Sequence, residues 1–379
     1  MTRALLIVLQ VLVFTGSHPE PRQATPYARL VARLSEPGGF FDSDNLVSNE
    51  TSYLHVLPAF RTQGVKGGAY LGVGPEQNFS YLAEIHPEIA LLIDIRRDNL
   101  LLHLLFKAMF ETADNRIQFL CLLYGRPAPP EPSRWTERPL EEILLYLDVT
   151  PSDSALHAAQ HATLMQRVVR FGVPISDLDR QTLRRFHDEF AQAGLNLKYT
   201  SLGRPSRPGY PSQRDLYTAT DLQGHAVSYL SSDARFRVVR DLEREDRVVP
   251  VVGDLSGPTA MKAIAAYLRE RDLGVSAFYV SNVEMYLFRQ GSFPRYAENV
   301  RALPTLPGAV IVRSSFGRGW RGGEPGPLPQ PQPGHLSVQL MQTFASFLAL
   351  TTQPDSVGYW DILTNSTVDL LQPAARPPH

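Results

Sequence analysis

The stretch from residue 67 to residue 99 constrains the fold more than any other part of this 379-residue chain. An apolar segment leads into Gly72 and Gly74, a short helical pattern follows, and the apolar run from Ile89 to Ile93 ends at Asp94. This order predicts a βαβ unit that holds a nucleotide-like ligand, because the glycines let the backbone approach the ligand and the acid accepts hydrogen bonds from ribose hydroxyls. The stretch indicates a class of ligand but does not identify a reaction.

The composition of the chain narrows the range of partners and cofactors. The formal net charge is -1, so there is no overall electrostatic attraction to nucleic acid, and we expect no nucleic-acid partner. Cys121 is the single cysteine of the sequence, which excludes an intrachain disulfide and a cysteine-based metal cluster. His157 and His161 have the spacing of two metal ligands on one helix face, but no third ligand accompanies them. We therefore expect packing or surface histidines and no metal cofactor.

The N-terminus has the pattern of an export signal. Arg3 precedes an apolar run from Ala4 to Phe14, and the small residues Gly16 and Ser17 follow. This pattern predicts a signal peptide over residues 1–20 and hence an exported protein, either periplasmic or secreted. The alternative is an apolar N-terminal helix, or a misassigned start, on a cytoplasmic protein. No other apolar run in the sequence is long enough to span a membrane.

The remaining sequence predicts a single α/β domain. Residues 21–45 are polar and rich in proline and glycine, which indicates a linker with one short helix, and residues 46–371 carry the domain itself. The segment from about 126 to 246 is largely amphipathic and is interpreted as a helical insertion. The apolar region from Leu336 to Leu350 is predicted to be helical, and residues 372–379 to be a disordered tail. The predicted fold class is a Rossmann-like three-layer α/β sandwich with a helical insertion.

Polar residues also follow two later predicted strands. One apolar strand ends just before Asp254, and the strand from Val275 to Val280 ends at Ser281 and Asn282. Because the carboxyl ends of parallel strands meet at one edge of a sheet, we expect these side chains to lie near Asp94.

The motifs GVGPEQNFSY, DIRRDN, GDLSG and SNVE resemble those of the class I S-adenosylmethionine methyltransferase fold. They also resemble a group of uncharacterised bacterial proteins assigned to that superfold. The resemblance implies a methyltransferase-like sandwich that binds S-adenosylmethionine or a related nucleoside at the strand tips. The cofactor contacts that it implies are Gly72, Gly74, Glu76, Gln77, Asn78, Asp94, Arg96, Asp254, Leu255 and Ser281.

The activity implied by this resemblance is methyl transfer to an unknown acceptor. Because the sulfonium is already activated, the reaction would rely mainly on orientation, with Asn282 or Glu284 positioning or deprotonating the acceptor. The alternative function is an exported, non-catalytic binding or interaction protein that retains the fold. This alternative arises because S-adenosylmethionine is made in the cytoplasm, so an exported enzyme would lack its donor.

Each predicted ligand contact also has a purely structural alternative. Gly72 and Gly74 fit a tight strand-to-helix turn without a ligand. Asp94 has Arg96 and Arg97 nearby as possible surface ion-pair partners. Asp254 is suitably placed either to cap the helix that follows it or to form a turn before Gly257 and Pro258. The sequence leaves both interpretations open for these positions.

Overall fold

The computed structural model of the protein describes residues 24–316 and 331–366. The predicted signal peptide at residues 1–20 and the predicted tail at residues 372–379 lie outside the described residues. Among the helices of the described part, none combines the length and the apolar character needed to cross a bilayer.

The described residues form six strands and fifteen α-helices. The strands are β1 (Ala69–Val73), β2 (Ile89–Asp94), β3 (Val248–Val252), β4 (Val275–Ser281), β5 (Thr305–Ser315) and β6 (Val338–Thr343). The helices are α1 (Pro26–Leu34), α2 (Leu57–Gln63), α3 (Gln77–Ile85), α4 (Arg97–Thr112), α5 (Arg116–Leu123), α6 (Leu140–Val149), α7 (Ser154–Arg170), α8 (Asp177–Ala193), α9 (Gln213–Thr218), α10 (Asp233–Arg244), α11 (Ala260–Glu270), α12 (Val283–Arg289), α13 (Phe293–Arg301), α14 (Phe344–Leu350) and α15 (Tyr359–Thr364).

The strands form one sheet in the order β3-β2-β1-β4-β5-β6. The first five strands are parallel, and β6 pairs antiparallel with β5. Every residue of β1 and β3 is buried, as expected for parallel strands covered by helices on both faces. The predicted α/β class is therefore confirmed as a mostly parallel sheet flanked by helices, which is compatible with a Rossmann-like layout. From the centre, β2 and β3 extend to one side of β1, while β4, β5 and β6 extend to the other.

Helix α4 connects the sheet to the helices that separate β2 from β3. It contacts β3 as well as α7, α8 and α10, and most of its side chains are buried. This explains the nearly continuous apolar sequence of α4, because both of its sides face other parts of the protein. The fully described segment 126–246 contains helices α6 to α10 and contributes no strand to the sheet.

Part of the predicted linker belongs to the folded domain. Helix α1 lies within residues 21–45, and its side chains Tyr27, Val31 and Leu34 are buried. The helix contacts β3, and the backbone N–H of Glu36 donates to the Val252 carbonyl at 2.8 Å. Polar composition suggested a linker, but the apolar face of α1 covers the edge strand of the sheet.

The apolar character of the region from Leu336 to Leu350 predicted one helix, but the structure differs. The region forms strand β6 followed directly by α14. Thr343 accepts a hydrogen bond from the Ser346 N–H at 3.1 Å and so begins the helix where the strand ends. The helical prediction holds for Phe344–Leu350 and was wrong for Val338–Thr343, because pairing with β5, a contact distant in sequence, decides the conformation of this short run.

Glu36 is predicted to stabilise the fold through the start of α11. Its Oε2 accepts hydrogen bonds from the N–H groups of Thr259 at 2.9 Å and Ala260 at 3.0 Å, and its Oε1 accepts one from Asp254 at 3.0 Å. Because E36A leaves these donors without their acceptor, we expect a loss of about 1–3 kcal/mol in the free energy of unfolding, measured by urea denaturation.

The control for this prediction is E270A. It removes an exposed ion pair between α1 and α11, in which Glu270 binds Arg33 at the surface. E270A should leave the urea midpoint close to that of the wild type. Equal midpoints for E36A and E270A would contradict the capping role of Glu36.

Candidate functional site

A cleft opens at the carboxyl ends of the central strands, between the two halves of the sheet. It holds about 170 Å³ of solvent-accessible space, and about 1030 Å³ when the whole empty region with its open mouth is included. Its lining includes the following residues that the sequence predicted: Gly74, Gln77, Asp94, Arg96, Asp254, Leu255, Ser281 and Asn282. Other lining residues were not expected from the sequence, among them Phe40, Phe41, Asn45, Glu50, Tyr199 and Tyr286.

Gly74 shapes the turn that joins β1 to α3. Its φ is +80°, and an added Cβ would lie 3.2 Å from Nε2 of Gln77. Asn78 closes the turn from inside, since its Nδ2 donates to the backbone oxygens of Val73 at 3.0 Å and Pro75 at 2.7 Å. The turn therefore presents open backbone to the cleft, as a glycine at this position allows.

Gly72 and Asn78 do not line the cleft, so their predicted role as ligand contacts does not fit the structure. An added Cβ at Gly72 would lie 2.0 Å from Oδ1 of Asn78 and within 3 Å of the Tyr70 ring. Tyr70 donates to the same Oδ1 at 2.7 Å. His103 supports the turn from below by donating from Nε2 to the Gly74 carbonyl at 2.9 Å, and burial lowers the pKa of His103 to about 4. These residues hold the turn in place.

Asp94 and Arg96 form an ion pair in the wall of the cleft. Nε of Arg96 donates to Oδ1 of Asp94 at 3.0 Å, and Nη2 donates to Oδ2 at 2.7 Å. Nη1 of Arg96 donates to the backbone oxygens of Ser43 at 2.7 Å and Asp44 at 2.6 Å. The ion pair that the sequence left as an alternative is therefore formed, but it lies in the cleft and fixes residues 40–50 over the end of β2.

Asp254 forms a tight turn at the end of β3. Its Oδ1 accepts hydrogen bonds from the N–H of Ser256 at 2.7 Å and from the Ser256 hydroxyl at 2.9 Å. The carboxylate does not cap α11, because Glu36 performs that role. Both of these hydrogen bonds use Oδ1, and Asp254 is one of the residues that line the cleft.

Ser281 lies at the sharp turn between β4 and α12. Its φ is +53°, a conformation that costs free energy for a residue with a Cβ. Its Oγ donates to Oε1 of Glu50, and Asn282 follows it in the lining of the cleft. A strained residue at the end of the strand thus places a hydroxyl and an amide at the inner end of the cleft.

Glu50 is a cleft residue that sequence reasoning missed. Its carboxylate is 1% exposed and accepts hydrogen bonds from Tyr279 at 2.6 Å, from Gln339 at 3.0 Å, and from the hydroxyls of Ser281 and Ser314. These donors come from β4, β5 and β6. No local pattern identified Glu50, because its partners are more than 200 residues away in the sequence.

Gln77 is the second buried polar side chain at the inner end of the cleft. It is 7% exposed, and its Nε2 is 3.4 Å from the hydroxyl of Tyr279. Its Oε1 lacks a hydrogen-bond partner within the described part of the chain. A buried acceptor without a partner is costly, and such groups are often found where a ligand or water binds.

Glu76, predicted as a ligand contact, faces away from the cleft toward the inserted helices. Its carboxylate accepts hydrogen bonds from Gln213, from Tyr217 at 3.1 Å and from Tyr229 at 2.9 Å. Burial raises the pKa of Glu76 to about 7, although these hydrogen bonds offset part of that rise. Its role is to join α3 to α9 and to the segment that precedes α10.

Glu284, predicted as a proton acceptor, is also outside the cleft. It is paired with Arg313 by two hydrogen bonds of 2.6 and 3.1 Å, and Tyr296 donates to it at 3.1 Å. Both members of the pair are 1% exposed. A carboxylate held in this way has no path to an acceptor in the cleft, so the predicted catalytic role does not fit the structure.

The two histidines with metal-ligand spacing pack against a third histidine on α8. His157 is 2.8 Å from Oδ1 of Asp188, and the nearest ring nitrogens of His161 and His187 are 3.2 Å apart. Burial lowers the pKa of His161 to about 4 and that of His187 to about 3. Over residues 24–316 and 331–366, no group of three or more His, Cys, Asp or Glu side chains is arranged to hold a metal ion.

The chain is an α/β protein with a mostly parallel sheet, compatible with a Rossmann-like layout, and the cleft is its candidate ligand site at the strand tips. The chain belongs to a family described as Domain of unknown function (DUF7790), whose model matches residues 45–126 and 182–368. No curated protein matches the chain. The matched ranges include the cleft residues Glu50, Asp94 and Asp254, whereas α6 and α7 lie between the two ranges.

Glu76 is predicted to make stability depend on pH. Its folded pKa of about 7 lies above the usual 4.5, so the folded protein binds more protons than the unfolded chain between these values. The free energy of unfolding should therefore decrease as the pH rises from 4.5 to 7. E76Q removes the titrating group. The free energy of unfolding of E76Q minus that of the wild type should therefore increase by roughly 3 kcal/mol as the pH rises from 4.5 to 7.

The measurement is urea unfolding of the wild type and E76Q across the pH window. Glu243, whose pKa burial also raises, is present in both proteins and so its effect cancels in the comparison. E298Q, at an exposed position, should keep the slope of the wild type. Parallel pH profiles for the wild type and E76Q would disprove the raised pKa of Glu76 in the folded protein.

Proposed function

We propose that this protein is methyltransferase-like and binds S-adenosylmethionine or a related nucleoside in the cleft. The observation that carries the proposal is that Gly74, Asp94, Asp254 and Ser281, which lie at the carboxyl ends of four different strands, all line one cleft. In open α/β sheets, ligands bind outside the carboxyl ends of the strands where the strand order diverges from the centre. In this sheet that point lies between β1 and β4.

The lining residues suit the parts of a nucleoside. Asp94 keeps an ordered position through Arg96 and supplies carboxylate oxygens for ribose hydroxyls. Ile95 and Leu255 offer apolar contact for a base, and Asp254 offers an acceptor for its amino group. The open backbone at Gly74 suits the part of the ligand that lies nearest the centre of the sheet.

The charge of the cleft favours a cationic ligand over a phosphorylated nucleotide. Its lining contains three carboxylates, those of Glu50, Asp94 and Asp254, and one guanidinium, that of Arg96, which gives a formal net charge of −2. A nucleoside phosphate would face this negative charge, whereas the sulfonium and ammonium of S-adenosylmethionine would be attracted by it.

The chemistry proposed for the cleft depends mainly on orientation. A bound sulfonium would supply an already activated methyl group, so the protein needs to align an acceptor and exclude water. Asn282 lies in the lining at the tip of β4 and is placed to orient an acceptor. Glu284 is excluded from this role by its buried pairing with Arg313.

A binding protein without catalysis is the second candidate. Two observations favour it: Asp94 is already engaged by Arg96, and Glu284 is unable to accept a proton in the cleft. A protein of this kind would bind the nucleoside and leave the methyl group in place. Prolonged incubation with labelled S-adenosylmethionine and candidate acceptors distinguishes the two functions, since only the enzyme transfers the label.

The proposal predicts that the full chain binds S-adenosylmethionine and S-adenosylhomocysteine in isothermal titration calorimetry. D254N keeps the shape of the side chain but replaces a carboxylate oxygen with a donor. Because loss of a charged hydrogen bond costs about 1.5–3 kcal/mol, we expect affinity to fall by about 10- to 100-fold.

D272N is the matched control for D254N. Asp272 lies on an exposed turn with a φ of +53°, a conformation that asparagine tolerates, and it does not line the cleft. D272N should bind as the wild type does. Absence of binding by the wild type, or equal affinities for D254N and D272N, would refute the proposed site.

A further inference from the structure

We propose that the inner end of the cleft binds a protonated amine through the carboxylate of Glu50. This inference deepens the proposed function and rests on it only for the identity of the nucleoside. The observation that carries it is that two buried residues of the cleft lining, Glu50 with its carboxylate and Gln77 with an unpartnered amide oxygen, both contact the hydroxyl of Tyr279.

The carboxylate of Glu50 is surrounded by neutral donors. Its partners are three hydroxyls and one amide, those of Tyr279, Ser281, Ser314 and Gln339. Within residues 24–316 and 331–366, no arginine, lysine or histidine forms an ion pair with it. A buried carboxylate is costly to desolvate unless a positive charge compensates it, so this end of the cleft favours a cation.

A second buried carboxylate, Glu284, shows how the protein balances such a charge internally. Glu284 is in α12, just after β4, and is neutralised by Arg313 through two hydrogen bonds. Glu50 has no such partner although β5 supplies donors to both carboxylates, Arg313 to Glu284 and Ser314 to Glu50. The difference is that Glu50 lies on the cleft, where a ligand can supply the charge.

The unpartnered oxygen of Gln77 indicates that the missing group is a donor. Oε1 of Gln77 accepts no hydrogen bond, while Nε2 of the same amide is directed at Tyr279, which itself donates to Glu50. A group bound between Glu50 and Gln77 would meet acceptors on both sides. An ammonium has three N–H donors and no acceptor, so it satisfies both positions.

Two sources of this ammonium are compatible with the site: the amino-acid part of the nucleoside ligand, or the amine of a second substrate. The first arm of the test compares S-adenosylhomocysteine with methylthioadenosine, which lacks the amino-acid part. The second arm compares butylamine with butanol, by ligand-observed NMR, on protein saturated with S-adenosylhomocysteine. Both arms use the full chain, at a pH where the amines are protonated.

The wild type is expected to prefer the ammonium-bearing member of at least one pair by about tenfold or more. In E50Q, which keeps the size of the side chain but removes its charge, this preference should fall to about threefold or less. An effect in the first arm assigns the ammonium to the nucleoside ligand, and an effect in the second arm assigns it to a second substrate.

E76Q is the matched control. Glu76 is likewise buried and bonded only to hydroxyls and an amide, but it does not line the cleft. E76Q should keep the preference of the wild type, and thermal unfolding of both variants reports whether they fold. If E50Q fails to fold, the wild type alone still overturns the inference when it shows no preference for the ammonium-bearing ligand.

A wild type with no preference for the ammonium-bearing ligand in either pair would overturn the inference, as would a preference that persists in E50Q. The proposed function has a separate readout, since methylthioadenosine and adenosine report nucleoside binding without any ammonium. Binding of these two ligands with no gain from an ammonium would retain the nucleoside site and refute the role of Glu50. The second arm is also repeated without S-adenosylhomocysteine. A preference for butylamine in this repeat, with no binding of the nucleosides, would retain the role of Glu50 and refute the nucleoside site.

Discussion

The parallel pairing of β1 with both β2 and β4 is the constraint on which the rest of the structure depends. It buries the backbone polar groups of the central strands and requires each connection to cross a face of the sheet, which places helices on both sides. Because the chain moves outward in opposite directions from these strands, the loops at their carboxyl ends separate. The cleft lies in the gap that this separation leaves.

Four carboxylates in and around the cleft are stabilised in different ways, and the way depends on where each one lies. Glu284 is neutralised by Arg313, and Asp94 by Arg96, so neither pair needs an outside charge. Glu76 has neutral partners only, and its raised pKa shows how desolvation favours the protonated form there. Glu50 also has neutral partners but faces the cleft, where a ligand is able to meet it.

The segment before β1 converts the open end of a sheet into a site. Arg96 holds the backbone at Ser43 and Asp44, and Glu50 gathers side chains from three strands. The same segment brings Phe40 and Phe41 to the mouth of the cleft. A stretch of irregular structure thus supplies much of the wall opposite the strand tips. Binding residues commonly lie on loops that a rigid scaffold holds in position.

The sequence by itself determined the βαβ unit, the sheet edge at which polar residues gather, and eight of the residues that line the cleft. These depend on local signals: glycines at a turn, apolar runs of strand length, and acids placed directly after them. Tertiary structure alone decided that Glu76 and Glu284 face away from the cleft, that β6 is a strand, and that Glu50 belongs to the site. Each of these outcomes depends on partners far along the chain, so the packing of distant segments, rather than any local pattern, fixes where the side chain points.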